Sequence, residues 1–238
     1  PIVIVNSGGG IEMTPWNNKV AGIINAWYVG QNGNIALAEI VSGKTNPSGK
    51  LPISIEKQFA DSPGANYIPE GFEEYTGRLL ENGKKTYPME DGDMNYPQVD
   101  VNYEEGVLVG YRWYETKNIK PLYAFGFGLS YSTFEFSDLN LSASKLIGNS
   151  NIKVTFKVKN TSDIEGAEVA QLYIEDIESS VIRPIKELKG FKKITLKSGE
   201  TIQIEMELTP RDLSFYDVES KTWKAEAGAF NILVGNSS

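Results

Sequence analysis

Ile152-Lys153-Val154-Thr155-Phe156-Lys157-Val158 and Ile202-Gln203-Ile204-Glu205-Met206-Glu207-Leu208 decide the fold of the second half of this chain. In both stretches apolar and polar side chains alternate without interruption, the period-two pattern of a strand with one face on a core and the other in water. Val169, Gln171, Tyr173 and Glu175 alternate with their own apolar neighbours, and Phe230-Asn231-Ile232-Leu233-Val234 closes the set. Turn residues at Asn160-Thr161-Ser162, Ser198-Gly199-Glu200 and Ala227-Gly228 separate the runs. The spacing predicts roughly seven antiparallel strands in an immunoglobulin-like sandwich. The boundary is expected near Ser137, dividing the chain into residues 1–136 and 137–238.

Working back from that boundary, the pattern changes. Pro1 to Val5 is continuously apolar and runs into Asn6-Ser7-Gly8-Gly9-Gly10, as a strand buried on both faces runs into a loop. A second apolar run, Val20 to Tyr28, ends at Gly30. Gly33 to Val41 predicts a helix, with Ile35, Leu37, Ala38, Ile40 and Val41 on its apolar face and Gly43 as its left-handed stop. Leu51 to Ile55 reads as another short strand. Alternating strand and helix signals predict an α/β layer. So few buried-type strands and a single clear helix make only part of an αβα sandwich, because such strands need neighbours on both sides and helices above and below. Residues 56–100, rich in Gly, Pro, Asn and acidic groups, read as a long loop, either a lid over a binding site or a solvated insertion.

Composition narrows the chemistry. The chain of 238 residues carries a formal net charge of −8, which opposes binding to nucleic acid or anionic lipid, while a neutral ligand such as a sugar meets no such field. It has no cysteine and no histidine, which removes thiol nucleophiles, disulfides, Ser-His-Asp catalysis and the usual zinc ligands. No metal site and no cofactor are expected, and no membrane span is seen. Gly8-Gly9-Gly10 does not begin a dinucleotide fingerprint, since Met13 stands where Gly or Ala is needed. Gly43-Lys44-Thr45 and Gly49-Lys50-Leu51 are not phosphate-binding loops, the first having Ala38 in place of the leading glycine and the second Leu51 in place of a hydroxyl residue.

Several segments carry a resemblance. Val101-Asn102-Tyr103-Glu104-Glu105-Gly106-Val107-Leu108-Val109-Gly110-Tyr111-Arg112-Trp113-Tyr114, followed by Pro121 to Tyr131 with Phe125-Gly126-Phe127-Gly128-Leu129-Ser130-Tyr131, resembles a signature of family 3 glycoside hydrolases. Val3-Ile4-Val5-Asn6-Ser7-Gly8, Ala26-Trp27-Tyr28-Val29-Gly30-Gln31-Asn32-Gly33 and Asn46-Pro47-Ser48-Gly49-Lys50-Leu51-Pro52 are similar to further motifs of the same family, in the same order. Gly166 to Tyr173, Arg183 to Phe191 and Arg211 to Asp217 resemble its fibronectin type III-like domain. Val29, Asn32, Glu39 and Phe127 depart from the commonest residues at those motif positions.

The resemblance implies the C-terminal part of a retaining exo-β-glycosidase, of β-glucosidase type, acting on oligosaccharides or aryl β-glycosides. It implies a nucleophilic aspartate and an acid/base glutamate upstream of Pro1, together with a barrel domain as this chain's partner, so no catalytic residue is expected within the chain. A bacterial protein acting on plant oligosaccharides in the periplasm, or secreted, suits that reading. Glu12, Glu39, Asp100, Glu104 and Glu105 are the acidic candidates. Trp27, Tyr103 and Glu105 are the candidates for contact with sugar, the aromatics by stacking on a pyranose face. Glu105 has the competing role of fixing its turn or pairing with Arg112, and Arg183 and Glu187 are expected to make interdomain or turn contacts. The other functional reading is a noncatalytic sandwich protein that binds a partner or polysaccharide.

Overall fold

The computed structural model describes residues 1–65, 80–81, 84–85 and 103–238. The two halves fold as the periodicity implies, an α/β fragment followed by an all-β sandwich. The expected long loop at 56–100 lies largely outside the described residues; within it, β3 (Leu80–Glu81) pairs antiparallel with β4 (Lys84–Lys85).

The sandwich has two three-stranded sheets and a separate two-stranded ribbon, eight strands where roughly seven were expected. One sheet is β5 (Phe134–Leu141), β6 (Ile152–Asn160) and β9 (Thr201–Leu208), in the order β5-β6-β9. The facing sheet is β7 (Gly166–Asp176), β8 (Glu187–Leu196) and β12 (Phe230–Gly235), in the order β12-β7-β8. β10 (Phe215–Asp217) and β11 (Thr222–Lys224) form the antiparallel ribbon. Ser137, the expected boundary residue, lies inside β5.

Alternation places Val154, Phe156 and Val158 of β6 against Ala170, Leu172 and Ile174 of β7, all essentially without solvent contact. Phe136 stacks on Phe156 with centroids 6.2 Å apart. Burial of each such side chain is worth about 1.5–3 kcal/mol relative to exposure. Asn160, which ends β6 in this core, is fully satisfied. Its Nδ2 donates to Ile164 O (2.8 Å) and Leu196 O (3.0 Å), and its Oδ1 accepts from Ser162 N and Oγ. That is the Asx turn that Asn160-Thr161-Ser162 signalled.

In the first half, β1 (Ile2–Val5) pairs parallel with β2 (Gly22–Asn25), and α1 spans Gly33–Val41, with Gly43 at φ 77° as its stop. Among the described residues here, Val5, Met13 and Ile55 form a buried cluster. Ile2 (50% exposed), Ile4 (46%) and Ile35 (63%) face solvent. A helix as apolar as α1 and a strand as apolar as β1 each call for cover on more than one side. Leu51–Ile55 is not a strand. Pro52 lacks the N–H a ladder requires, and the segment instead exchanges scattered bonds with Tyr123–Phe127, Leu51 N to Phe127 O (2.8 Å) and Ile55 N to Tyr123 O (2.8 Å).

The junction between the halves is polar and buried. β7 uses its second face for it, so Gln171 and Tyr173 are as buried as the core residues beside them. Tyr173 meets the ring of Tyr111 edge-on at 6.0 Å, and Tyr111 stacks on Phe125 at 4.9 Å. Asn46 donates to Ser132 Oγ (2.8 Å) and Glu165 O (2.9 Å) and accepts from Ser130 Oγ and Tyr131 N. Lys50 pairs with Glu168 at 2.7 Å and donates to Gly128 O at 2.8 Å. The glycines of Phe125-Gly126-Phe127-Gly128 are required by contact. A Cβ on Gly126 would lie 2.5 Å from Gln171 Nε2, and one on Gly128 would lie 2.1 Å from Gly49 O.

Candidate functional site

Parallel strands end at one edge, and loops leaving that edge are where open α/β sheets bind ligands. Here the edge presents Asn6–Gly10 after β1 and Ala26–Gly30 after β2. Ala26 N donates to Val5 O at 2.8 Å, extending the ladder by one bond before the two loops part. Trp27 then takes φ 53°, a left-handed conformation that a bulky aromatic rarely adopts and that costs on the order of 1–3 kcal/mol. The turn leaves Tyr28 78% exposed with its ring against the first loop. A Cβ on Gly8 would lie 2.8 Å from Tyr28 Cε2, so glycine is what allows the ring to lie there. At the end of β2 both polar atoms of Asn25 are buried without a hydrogen-bond partner.

A third segment reaches the same loop. A Cβ on Gly10 would come within 3.9 Å of Glu56 Oε2. That carboxylate oxygen is 3.5 Å from the hydroxyl of Tyr114, the buried residue of α2 (Tyr111–Thr116). Burial first, and then the charge of Glu56, hold the Tyr114 phenol above its ordinary range, so it remains a neutral donor. Thr14 Oγ1 donates to Lys57 O (2.6 Å) and Trp113 Nε1 to Asp61 O (3.1 Å), which fixes residues 56–61 between the first loop and α2. The result is a half-buried carboxylate, a phenol and an exposed tyrosine ring around a glycine loop. Such a surface offers acceptors, a donor and an apolar face to a polyhydroxyl ligand.

Of the sequence candidates, Trp27 lies at this edge, half-buried. Tyr103, 75% exposed, and Glu105, half-buried, lie in a different segment, the turn that leads into α2. Glu105 contributes its carbonyl to that turn, accepting from Leu108 N at 3.0 Å, and Gly106 (φ 58°) and Gly110 (φ 59°) supply the left-handed positions. Arg112 lies over the ring of Tyr111 at 5.8 Å. Asp100 lies outside the described residues. Glu39 pairs with Lys44 beside α1. Arg183 works inside the sandwich, donating to Asp176 Oδ2 (2.9 Å) and Leu213 O (3.0 Å) and pairing with Glu187 at 3.4 Å. Contacts between the halves come instead from its neighbours: Lys186 with Glu115 at 3.2 Å, and Leu188 N to Tyr111 Oη at 2.8 Å.

Glu56 and Tyr114 were not among the sequence candidates. They are 58 positions apart and stand in no recognisable spacing. The departing Phe127 stacks on Tyr123 at 5.3 Å, so a ring there serves packing. Among the described residues no group of three or more acidic side chains is placed to hold a metal ion, and no helix is long and apolar enough to cross a membrane. A cavity of about 630 Å³ belongs wholly to the sandwich, between Leu141–Gly148 and Ala225–Phe230.

Residues 1–131 match the model of the glycosyl hydrolase family 3 C-terminal domain, and residues 168–238 match a fibronectin type III-like domain. A beta-glucosidase of Bacteroides ovatus is 40% identical over 237 residues, covering 100% of this chain and 29% of that protein. The crystal structure of a family 3 beta-glucosidase from Bifidobacterium adolescentis superposes with a TM-score of 0.82 at 35% identity, covering 100% of this chain and 31% of that one. The structure of beta-glucosidase 3B from Thermotoga neapolitana in complex with alpha-D-glucose gives 0.80 at 33% identity, covering 100% and 29%. The chain thus spans less than a third of the length of these relatives.

Proposed function

Because this chain belongs to glycosyl hydrolase family 3 and corresponds to the C-terminal part of its relatives, we propose that it completes a retaining exo-β-glycosidase, a β-glucosidase that releases terminal nonreducing glucose. The observation that carries this reading is full coverage of the chain by proteins named beta-glucosidases, over both its halves. Retention requires two carboxyl groups about 5 Å apart, one ionised to attack the anomeric carbon and one protonated to give its proton to the departing aglycone oxygen. The nucleophilic aspartate and the acid/base glutamate are assigned to the rest of the enzyme. The bare faces of β1 and α1 fit a chain whose remaining layers come from that part.

The role left to this chain is positioning. Trp27, Tyr28 and Glu56 at the sheet edge, with Tyr103 and Glu105 in the turn before α2, are the residues offered to a sugar or to the loops that hold it. The domain division is proposed just ahead of β5, at about residue 133 and not inside that strand at 137, with the sandwich as scaffold. The relatives include bacterial proteins, and a bacterial origin belongs to the same reading.

The test is release of nitrophenol from aryl β-glucosides. The purified 238-residue chain should give none, since this reading assigns both the nucleophile and the proton donor to the rest of the enzyme. Turnover that survives repurification and disappears in Glu105→Gln or Glu56→Gln would place the chemistry in this chain and overturn the assignment.

A further inference from the structure

α2 is six residues long, too short to hold its own place, since a helix of that length does not repay its nucleation in water. The sandwich grips it at three points. Leu188 N donates to Tyr111 Oη (2.8 Å), Ile185 N donates to Thr116 Oγ1 (3.2 Å), and Lys186 pairs with Glu115 (3.2 Å). From α2, contacts then run to residues 56–61, where Trp113 Nε1 donates to Asp61 O (3.1 Å) and the Tyr114 hydroxyl stands 3.5 Å from Glu56 Oε2. α2 thus connects the sandwich to the carboxylate at the sheet edge.

The grip is itself braced. Residues 185–188 lie where the loop leaving β7 enters β8, and Arg183 ties the base of that loop together. Its guanidinium, 6% exposed, donates to Asp176 Oδ2 at the end of β7 (2.9 Å), to Glu187 at the start of β8 (3.4 Å) and to Leu213 O (3.0 Å). Lys189 also pairs with Glu187. The carboxylates of Asp176 and Glu187 are 4% and 15% exposed, so little water can replace the guanidinium fork that holds them. The ladder to β7 skips Lys189, passing from Leu172↔Gly190 to Tyr173↔Leu188. Such a bulge re-aims the groups beside it, and the Leu188 N–H goes to Tyr111.

We propose that Arg183 and Tyr111 are positioning residues for the sheet-edge site: Arg183 fixes residues 185–188, these hold α2 through Tyr111, and α2 holds residues 56–61 and so sets where Glu56 stands beside the first loop. That Glu56 meets a sugar rests on the function proposed above; that the sandwich sets its place does not.

Exchange of the Trp113 indole proton with water, followed by NMR in the 238-residue chain, tests the link, because that proton makes the bond from α2 to Asp61 O. Tyr111→Phe keeps the ring that stacks on Phe125 and removes only the acceptor of the Leu188 N–H. It should speed the exchange by about tenfold, the worth of one hydrogen bond. The Ala26 amide, bonded to Val5 O within the sheet, should be unchanged and reports any general loosening of that half. Arg183→Lys keeps the charge and loses the fork. With a cooperative melt retained, it should speed the same proton, although every bond of Arg183 named above stays within the sandwich. An unmoved Trp113 proton in either variant, or equal acceleration at Ala26, would overturn the link. Failure of the functional reading shows elsewhere, as unchanged kcat/KM on an aryl β-glucoside in Glu56→Gln of the complete enzyme.

Discussion

Replacement of Lys50 by methionine probes the seam between the two halves. Lys50 and Glu168 are 2.7 Å apart with side chains 11% and 5% exposed, and Lys50 also donates to Gly128 O. At an effective dielectric of about 20, their attraction is on the order of 6 kcal/mol, most of it offset by the desolvation of two ions. Methionine keeps the stem of the lysine and removes the charge, stranding the Glu168 carboxylate. Breaking a buried pair in this way costs about 3–5 kcal/mol. Glu168 retains hydrogen bonds from Val169 N (2.7 Å) and Asn236 Nδ2 (3.1 Å), which places the expected loss near the lower figure. For a chain of this size that corresponds to a fall in Tm of about 6–12 °C. Lys50→Met combined with Glu168→Gln should recover most of the loss, since no ion is then left buried and Gln still accepts from Val169 N. Urea unfolding of wild type, both single variants and the double variant completes the cycle. A loss below about 1 kcal/mol in Lys50→Met, or additive losses in the double variant, would refute this account of the seam.

Gly126→Ala should cost more than the usual penalty for the φ of 81°, because its Cβ would meet the Gln171 amide at 2.5 Å; Gly126→Ala together with Gln171→Ala should recover part of the loss in a thermal melt. The Glu226 carboxyl is pulled down to about 2 from its ordinary 4.5, chiefly by Ser180 Oγ and then by the Ser180 N–H. A depressed carboxyl stabilises the fold above about pH 4.5 and loses that contribution as pH falls towards 2. Ser180→Ala should therefore raise the Glu226 midpoint and flatten stability against pH in that window, and an unmoved carboxyl resonance in an NMR titration would contradict the hydrogen-bond cause. Expressed separately, residues 133–238 should melt cooperatively, because the sandwich closes its own core. Residues 1–132 should not, because Ile2, Ile4 and Ile35 are left in water; a cooperative melt of that piece would count against the bare-face argument.

Much of the architecture is set by short-range chemistry, and that part is legible residue by residue. The alternation in β6 and β9, the helix from Gly33 to the Gly43 stop, and the Asx turn at Asn160 each depend on neighbours within a few positions, where period and turn preference act directly. The same local reading failed at Leu51–Ile55, whose apolar composition suits a strand but whose Pro52 and irregular partner segment prevent a ladder. The paired face of Gln171 and Tyr173 looked like a solvent face for the same reason: alternation reveals that two faces differ, not what covers the polar one. The helix α2 also went unread. Six residues give too little period to register, and its place is set by Tyr111 and Trp113 bonding to distant backbone. For the candidate site, Trp27 was legible as an aromatic in a motif, but its left-handed backbone and the convergence of Gly10, Glu56 and Tyr114 were not. The sequence by itself determined the elements and the chemistry the chain lacks, since both follow from residue type and local order. Only the tertiary structure decided which carboxylate meets which loop, because a contact across 58 positions is the outcome of packing the whole chain and leaves no periodic trace along it.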